Sequence, residues 1–347
     1  MYNNNMDLKH IVVLCCFLCF GSAWQAQDYF YTQKFSTPST LSPAFIGKQN
    51  GISVGLQYRD AWSNLPGTFT FADLSADGYF PNIRMILGGK LSYQQLGSAG
   101  YYITGGEIQG GYHIYIAKLR QLFLLIPAIS IGLYNTGVNV NKLLFYDQLL
   151  NGGLSQTTLY RNSRMFFDIN LGFAFMTNKN YALSMNVFHL NFANKSFERV
   201  NTDVTPMRIN LVGLYRFALT KQVGNAWANQ DMVVMAETNY QEGSVWTDLG
   251  VYYNVSVISL GLIAERFAFG ARRNYNPTVS LFLGADLYNT CVGYSFSWGV
   301  GATSKLFGGS HEISLKYIID AKYIRSAKTK QDRDVIKQFG MLKFPRY

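Results

Sequence analysis

Hydrophobic and polar positions alternate along much of this chain. In GISVGLQYRDA (51–61), Ile52, Val54, Leu56 and Tyr58 fall on one face, opposite Gly51, Ser53, Gly55 and Gln57. RMILGGKLSYQQ (84–95) sets Leu87, Gly89, Leu91 and Tyr93 against Gly88, Lys90, Ser92 and Gln94. HEISLKY (311–317) sets His311, Ile313, Leu315 and Tyr317 against Glu312, Ser314 and Lys316. A period of two is the strand signature, and an apolar face opposite a small or polar one suits a barrel with lipid outside and a polar interior. Further strands are predicted over 68–76, 101–112, 122–134, 165–176, 181–191, 207–219, 231–240, 246–255, 258–268, 279–289, 291–300 and 310–320, about fourteen in all. Turn residues separate them at Asn178–Asn180, Lys221–Asn229, Asn274–Pro277 and Gly308–Gly309.

Composition narrows the fold class. Only 14% of residues are charged, against 48% hydrophobic and 16% aromatic, where a soluble domain carries about a quarter charged residues. A soluble β-sandwich shares the periodicity but leaves the low charge unexplained. Behind the leader no apolar run is long enough for a spanning helix, and a sheet facing lipid must close on itself. The expectation is an all-β chain: a single transmembrane antiparallel β-barrel over residues 51–320, without a domain break. Aromatics at strand ends (Tyr101, Tyr102, Trp246, Tyr252, Tyr253, Tyr288) are candidates for interfacial girdles, although aromatics favour strands in any case.

The N-terminus reads as export machinery. Lys9 and His10 precede IVVLCCFLCFGSAW, a basic region followed by an apolar one, which predicts a signal peptide over residues 1–23 with cleavage at Ala26 as a second option. Neither Cys16 nor Cys19 follows the small residue a lipoprotein signal would place there. Three of the four cysteines lie in the leader, so the exported chain keeps Cys291 and no disulfide framework. Residues 24–50 follow as a lead-in segment on the periplasmic side. Within it, YTQKFSTPSTLSPAFIG (31–47) carries Pro38 and Pro43, which deny donors to a ladder and hold the residues before them extended. Gly47 can make a sharp turn into the first strand. The segment reads either as an ordered plug-like element or as a linker; Leu41, Phe45 and Ile46 are more apolar than a linker requires.

Catalytic chemistry finds little footing. Ser310 and His311 are adjacent and point to opposite faces of a strand. His113 and His189 could meet only through a topology the pattern does not define, and three scattered histidines make no zinc site. Asp168 and Asn170 share a face, as do Glu312 and Lys316; compensated charge within a barrel accounts for both. NYNP (274–277) and LNGGLS (150–155) read as turns, and no dinucleotide or phosphate loop is present. No catalytic, cofactor-binding or metal-binding residue is assigned, no cofactor is expected, and the chain is read as a non-enzyme. The net charge of +10 is concentrated in residues 321–347, a basic tail with eight Lys or Arg and two Asp. An exported tail would rarely meet nucleic acid, so none is expected as a partner.

Five segments carry a resemblance to one family. SPAFIG (42–47) resembles an Asn-Pro-Ala-x-Ala-Gly segment near the mature N-terminus of the PorP/SprF outer-membrane proteins, with Ser42 in place of asparagine. YRDAWSNLPGTFTFADLSAD (58–77), LLFYDQ (143–148, with Tyr146 where glycine is usual), VFHLN (187–191, its histidine pair reduced to His189) and GGSHEISLKY (308–317) follow in that family's order. The resemblance implies an outer-membrane location and a noncatalytic part in type IX secretion, surface attachment of adhesin cargo or gliding motility. Implied partners are outer-membrane lipid, other type IX components, a periplasmic peptidoglycan-associated protein and the secreted adhesin. A passive porin or selective solute channel is the alternative.

Overall fold

The structure is a computed structural model and describes residues 30–48, 51–65, 67–118, 121–143, 145–151, 161–177, 180–197, 204–219, 230–268, 277–300 and 308–319. The predicted signal peptide, the basic tail after residue 320, the join 221–229 and most of the turns 150–155 and 274–277 lie outside the described residues.

Fifteen strands follow one another: β1 (Ile52–Asp60), β2 (Thr68–Phe80), β3 (Met85–Gly97), β4 (Tyr101–Tyr112), β5 (Ile114–Lys118), β6 (Gln121–Val138), β7 (Ser163–Thr177) and β8 (Tyr181–Phe188), then β9 (Arg208–Ala218), β10 (Gln230–Gln241), β11 (Ser244–Val255), β12 (Ile258–Ala268), β13 (Thr278–Leu287), β14 (Thr290–Gly299) and β15 (Ser310–Ile319). Apart from β4 and β5, consecutive strands pair antiparallel, and β1 pairs with β15 from Ile52↔Ile319 to Asp60↔His311, closing the sheet. β4 and β5 are two pieces of one stave: both pair with β6 in a single register, Gly111↔Ala128 and Ile114↔Leu125, with a break at His113. The barrel therefore has fourteen staves. One short helix, α1 (Tyr146–Asn151), lies in the join between β6 and β7. Among the described residues no helix is long and apolar enough to cross a membrane.

Alternation decides which face each residue takes. Leu74, Leu91, Ile108, Leu211, Leu262, Leu281 and Leu315 stand exposed on the outer surface, and Ile108 reaches 71% exposure. Their neighbours Ser53, Gln57, Asp73, Lys90, Ser92, Glu107, Glu312 and Lys316 are buried inside. In water this would be an inverted protein; with hydrocarbon outside, each face meets its preferred medium. Tyr58, Tyr93 and Tyr240 are exposed near one rim, while Tyr112, Tyr215, Phe217 and Tyr317 are exposed near the other. The girdle reading of Trp246, Tyr252 and Tyr101 is corrected: Tyr252 is 2% exposed, and Trp246 and Tyr101 line an internal cavity.

The longest joins, 139–162 and 189–207, lie at one rim together with the short 98–100 and 242–243; the turns 81–84, 256–257 and 288–289 lie at the other, the short-turn rim, which also takes the longer connection between β9 and β10. At the short-turn rim the interior is apolar: Ile86, Leu124, Ile126, Met176, Val212, Leu214, Val233, Met235 and Ile263 form one cluster. Further up, the inward positions turn polar and charged.

Candidate functional site

The barrel's centre is occupied by its own chain. Residues 31–47 run down the lumen, almost all of them buried. Proline fixes φ and donates no N–H, so it suits the first turn of a helix. Pro38 opens a 3-10 turn over Pro38–Thr40, and Pro43 opens a second over Pro43–Phe45. Ser42 caps the second turn by accepting from the Ala44 N–H at 3.0 Å. The two prolines therefore turn the segment into a compact body as well as keeping it off the ladder. Leu41, Ala44, Phe45 and Ile46 then dock into the apolar cluster at the short-turn rim, where each large side chain contributes roughly 1.5–3 kcal/mol. Gly47 makes the exit turn at φ 67°, and a Cβ there would lie 2.8 Å from Ile86 Cγ2. Its N–H donates to Asp77 Oδ2 at 2.6 Å.

Above the apolar base the plug is held by charge. Lys34 Nζ donates to both Glu237 on β10 and Asp248 on β11, with all three side chains buried. Burial alone pulls the Lys34 ammonium's pKa down, but the Asp248, Glu237 and Glu265 carboxylates outweigh it and hold it above the ordinary lysine value. Glu312 is a second hub. It accepts from the backbone N–H groups of Thr32 and Gln33, each at 2.8 Å, from Gln57 Nε2 at 2.7 Å and from Arg59 Nη1 at 3.0 Å. Arg59 and Glu312 face each other directly across the β1–β15 seam. Lys316 Nζ donates to the Phe35 carbonyl at 2.7 Å, so the charge that compensates Glu312 is Arg59 on the facing strand, and Lys316 holds the plug. Asn186 Nδ2 donates to the Leu41 carbonyl at 3.1 Å.

Between the plug and the long-loop rim lies a cavity of about 600 Å³. Phe30, Tyr31 and Lys34 of the plug form part of its lining, with Trp62, Tyr134, Phe166, Phe188 and Trp246 on the walls. His189 and Asp168, both in this lining, are joined by an Nδ1–Oδ1 contact of 2.8 Å. His113 lies at the opposite rim, stacked on Tyr79 at 4.4 Å, so the two histidines do not meet. Ser310 is buried and His311 exposed, as alternation requires, with His311 Nδ1 2.8 Å from Tyr294 Oη. Among the described residues no group of His, Cys, Asp and Glu is arranged to hold a metal.

Three residues of the cavity lining take left-handed backbone although none is glycine: Trp62 (φ 59°), His189 (φ 58°) and Arg266 (φ 59°). Such conformations cost about 1–3 kcal/mol each and persist where neighbours hold them. In each case a side chain from another strand accepts from the strained residue's N–H: Ser310 Oγ for Trp62 at 3.3 Å, Asn170 Oδ1 for His189 at 3.0 Å and Asp248 Oδ1 for Arg266 at 2.7 Å. Arg266 sits in a β-bulge, where the β11–β12 register shifts between Thr247 and Leu249. The bulge brings Glu265 and Arg266 inward in succession, which strict alternation forbids. The pattern reading missed Arg266 for this reason, and missed Lys34 because nothing in a proline-containing segment announces an ion pair with distant strands.

These features define the chain as an outer-membrane β-barrel whose lumen is plugged by its N-terminal segment. The chain belongs to the type IX secretion system membrane protein PorP/SprF family, whose model matches residues 23–317. Four of the five resembling segments contribute to the cavity lining, through Pro43, Trp62, His189 and Ser310. No curated protein matches the chain. Among solved structures it is similar to the Acinetobacter baumannii outer membrane protein Omp33, at 9% identity and a TM-score of 0.44, covering 79% of this chain and 100% of that one. The P. putida toluene transporter TodX gives 12% identity and a TM-score of 0.45 over 84% of this chain and 95% of that one. The CymD monoaromatic hydrocarbon channel gives 12% and 0.46 over 85% and 95%. At these values the likenesses carry no functional argument.

Proposed function

We propose that this protein is a noncatalytic component of the type IX apparatus that supports surface attachment of secreted adhesin cargo or of gliding machinery, and is not a solute conduit. Family membership supplies the type IX setting. The observation that carries the rest is the ion-paired plug: Lys34 bound to Glu237 and Asp248, and Glu312 bound to Thr32, Gln33 and Arg59. A lumen filled in this way leaves the outer wall, the long joins and the short-turn rim as the surfaces a partner can reach. In outer-membrane barrels the short turns face the periplasm. On that orientation both ends of the strand sequence, Ile52 and Ile319, sit on the periplasmic side. A periplasmic peptidoglycan-associated protein would meet the barrel there, with the basic tail 321–347 as its docking element. The plug stands against the passive-porin alternative.

Deletion of the gene, followed by quantitative surface proteomics, tests the proposal. Loss of particular type IX cargo from the surface, restored by the wild-type chain, is the expected result. An unchanged surface proteome with impaired uptake of small solutes would overturn it. Removing residues 326–347 should leave the barrel inserted while reducing cargo display and periplasmic partner co-purification; unchanged display and co-purification would remove the tail from the proposal.

A further inference from the structure

The outer wall changes character from row to row as it nears the long-loop rim. Register places Val292, Leu315, Leu56, Leu74 and Leu91 side by side across β14, β15, β1, β2 and β3, all facing outward. Two residues nearer the rim, the same strands present Tyr294, Tyr58 and Tyr93. Two residues further they present Phe296, His311, Asp60, Thr70 and Gln95, with Tyr102 of β4 next in line. Among the described strand residues Asp60 carries the outward-facing carboxylate, and among the described residues it enters no ion pair. Charge on a lipid-facing wall costs least at the interface, so this row belongs at headgroup level and the leucine row in hydrocarbon.

Aromatic rings bound the row. Phe296 lies against Gly309 and Tyr102 against Gly137, two positions where a Cβ would collide with the ring. Trp298 stacks beside Phe296 at 6.2 Å, which widens that end into a platform. His311 is exposed, and with its Nδ1 held 2.8 Å from Tyr294 Oη its Nε2 remains for a ligand.

We propose that this row binds the sugar headgroup of an outer-leaflet glycolipid whose acyl chains lie along the leucine row. With the short turns toward the periplasm, this rim meets the outer leaflet. The Asp60 carboxylate accepts from vicinal sugar hydroxyls, the Thr70 hydroxyl and His311 Nε2 complete the polar contacts, and the Phe296–Trp298 platform takes the apolar CH face of the sugar ring. A phosphate headgroup is disfavoured, because the row holds no Lys or Arg and Asp60 repels a second anion. Continuity with the hydrocarbon-facing wall makes the occupant a lipid and not a free sugar. The site lies on the opposite face of the wall from the plug and does not depend on the secretion reading.

Native mass spectrometry of the purified full-length barrel, exchanged in detergent against an equimolar mixture of glucosyl dioleoylglycerol, dioleoylglycerol and dioleoylphosphatidylglycerol, tests it. Retention of the glucolipid at least fivefold above either comparator is expected, the scale of a small number of net hydrogen bonds. Asp60→Leu should remove that preference, Asp60→Asn, which still accepts from a hydroxyl, should keep part of it, and Thr290→Val, an outward hydroxyl at the short-turn rim, should leave it unchanged. Equal retention of the three lipids, preference for the phosphatidylglycerol with or without magnesium, displacement of the glucolipid by excess methyl glucoside, or wild-type preference in Asp60→Leu would overturn the proposal. Should Asp60→Leu lose the heat-modifiable folded band, Thr70→Val and His311→Phe take its place, and wild-type preference in both would overturn it.

Discussion

Replacing Lys34 by Met keeps most of the side chain's length and removes its charge, leaving Glu237 and Asp248 facing each other without their common cation. Breaking a buried pair in this way costs about 3–5 kcal/mol. At about 1.4 kcal/mol per tenfold, that shifts the balance between docked and undocked plug by two to nearly four powers of ten. Glu312 still holds the Thr32 and Gln33 N–H groups at 2.8 Å, and hydrogen bonds to a charged group add roughly 1.5–3 kcal/mol each. Lys34→Met alone should therefore loosen the plug, and Lys34→Met with Glu312→Gln should release it. The reporter is Ser36→Cys, a near-isosteric change at a position 4% exposed, placed in a Cys291→Ser background and reacted with a membrane-impermeant maleimide. Labelling should be slow in the parent, at least a hundredfold faster in Lys34→Met and faster again in the double variant. If labelling stays at the parent rate while all three barrels keep their heat-modifiable band, the ion pairs do not hold the plug.

Leu315→Arg places a guanidinium on the lipid face near the middle of β15 and should cost about 2–4 kcal/mol of insertion, read as a lower yield of heat-modifiable barrel. Gly47→Val meets both a positive φ and the Ile86 and Gly78 atoms within 3.0 Å, so it should speed Ser36→Cys labelling without changing the strand content seen by circular dichroism. The folded-state pKa of Lys34 lies above its unfolded value, so the stability from its clasp is full below the unfolded value of about 10.4 and is lost only as pH rises through the higher folded one. Plug labelling divided by the rate of a free thiol at the same pH, which removes the reporter thiol's own titration near about 8.5, should accordingly stay flat from about pH 7 to pH 10; a rise of that ratio centred near pH 8 would contradict the assignment.

The fourteen staves were legible because each has one face toward lipid and one toward a polar interior, which writes a period of two directly into segments such as 51–61 and 311–317. β5 was not legible: its five residues continue β4 past His113 in an unchanged register, which no local pattern marks. Aromatic identity at strand ends does not encode direction, so Tyr252 and Trp246 read like girdle residues although they face inward. Asp168 was placed on the interior face, but its contact with His189 depends on how β7 pairs with β8 and on a left-handed residue at the strand's end. The plug was half legible. Its prolines and apolar residues pointed to an ordered segment, whereas its place within the lumen depends on partners more than two hundred residues away, such as Glu312 for Thr32.

Single-channel recording of the purified wild-type protein in planar bilayers tests the plugged lumen most directly. No steady conductance is predicted for the wild type, and openings are predicted when Lys34→Met and Glu312→Gln are combined. A stable, ohmic wild-type conductance, unchanged by that pair of substitutions, would contradict the account.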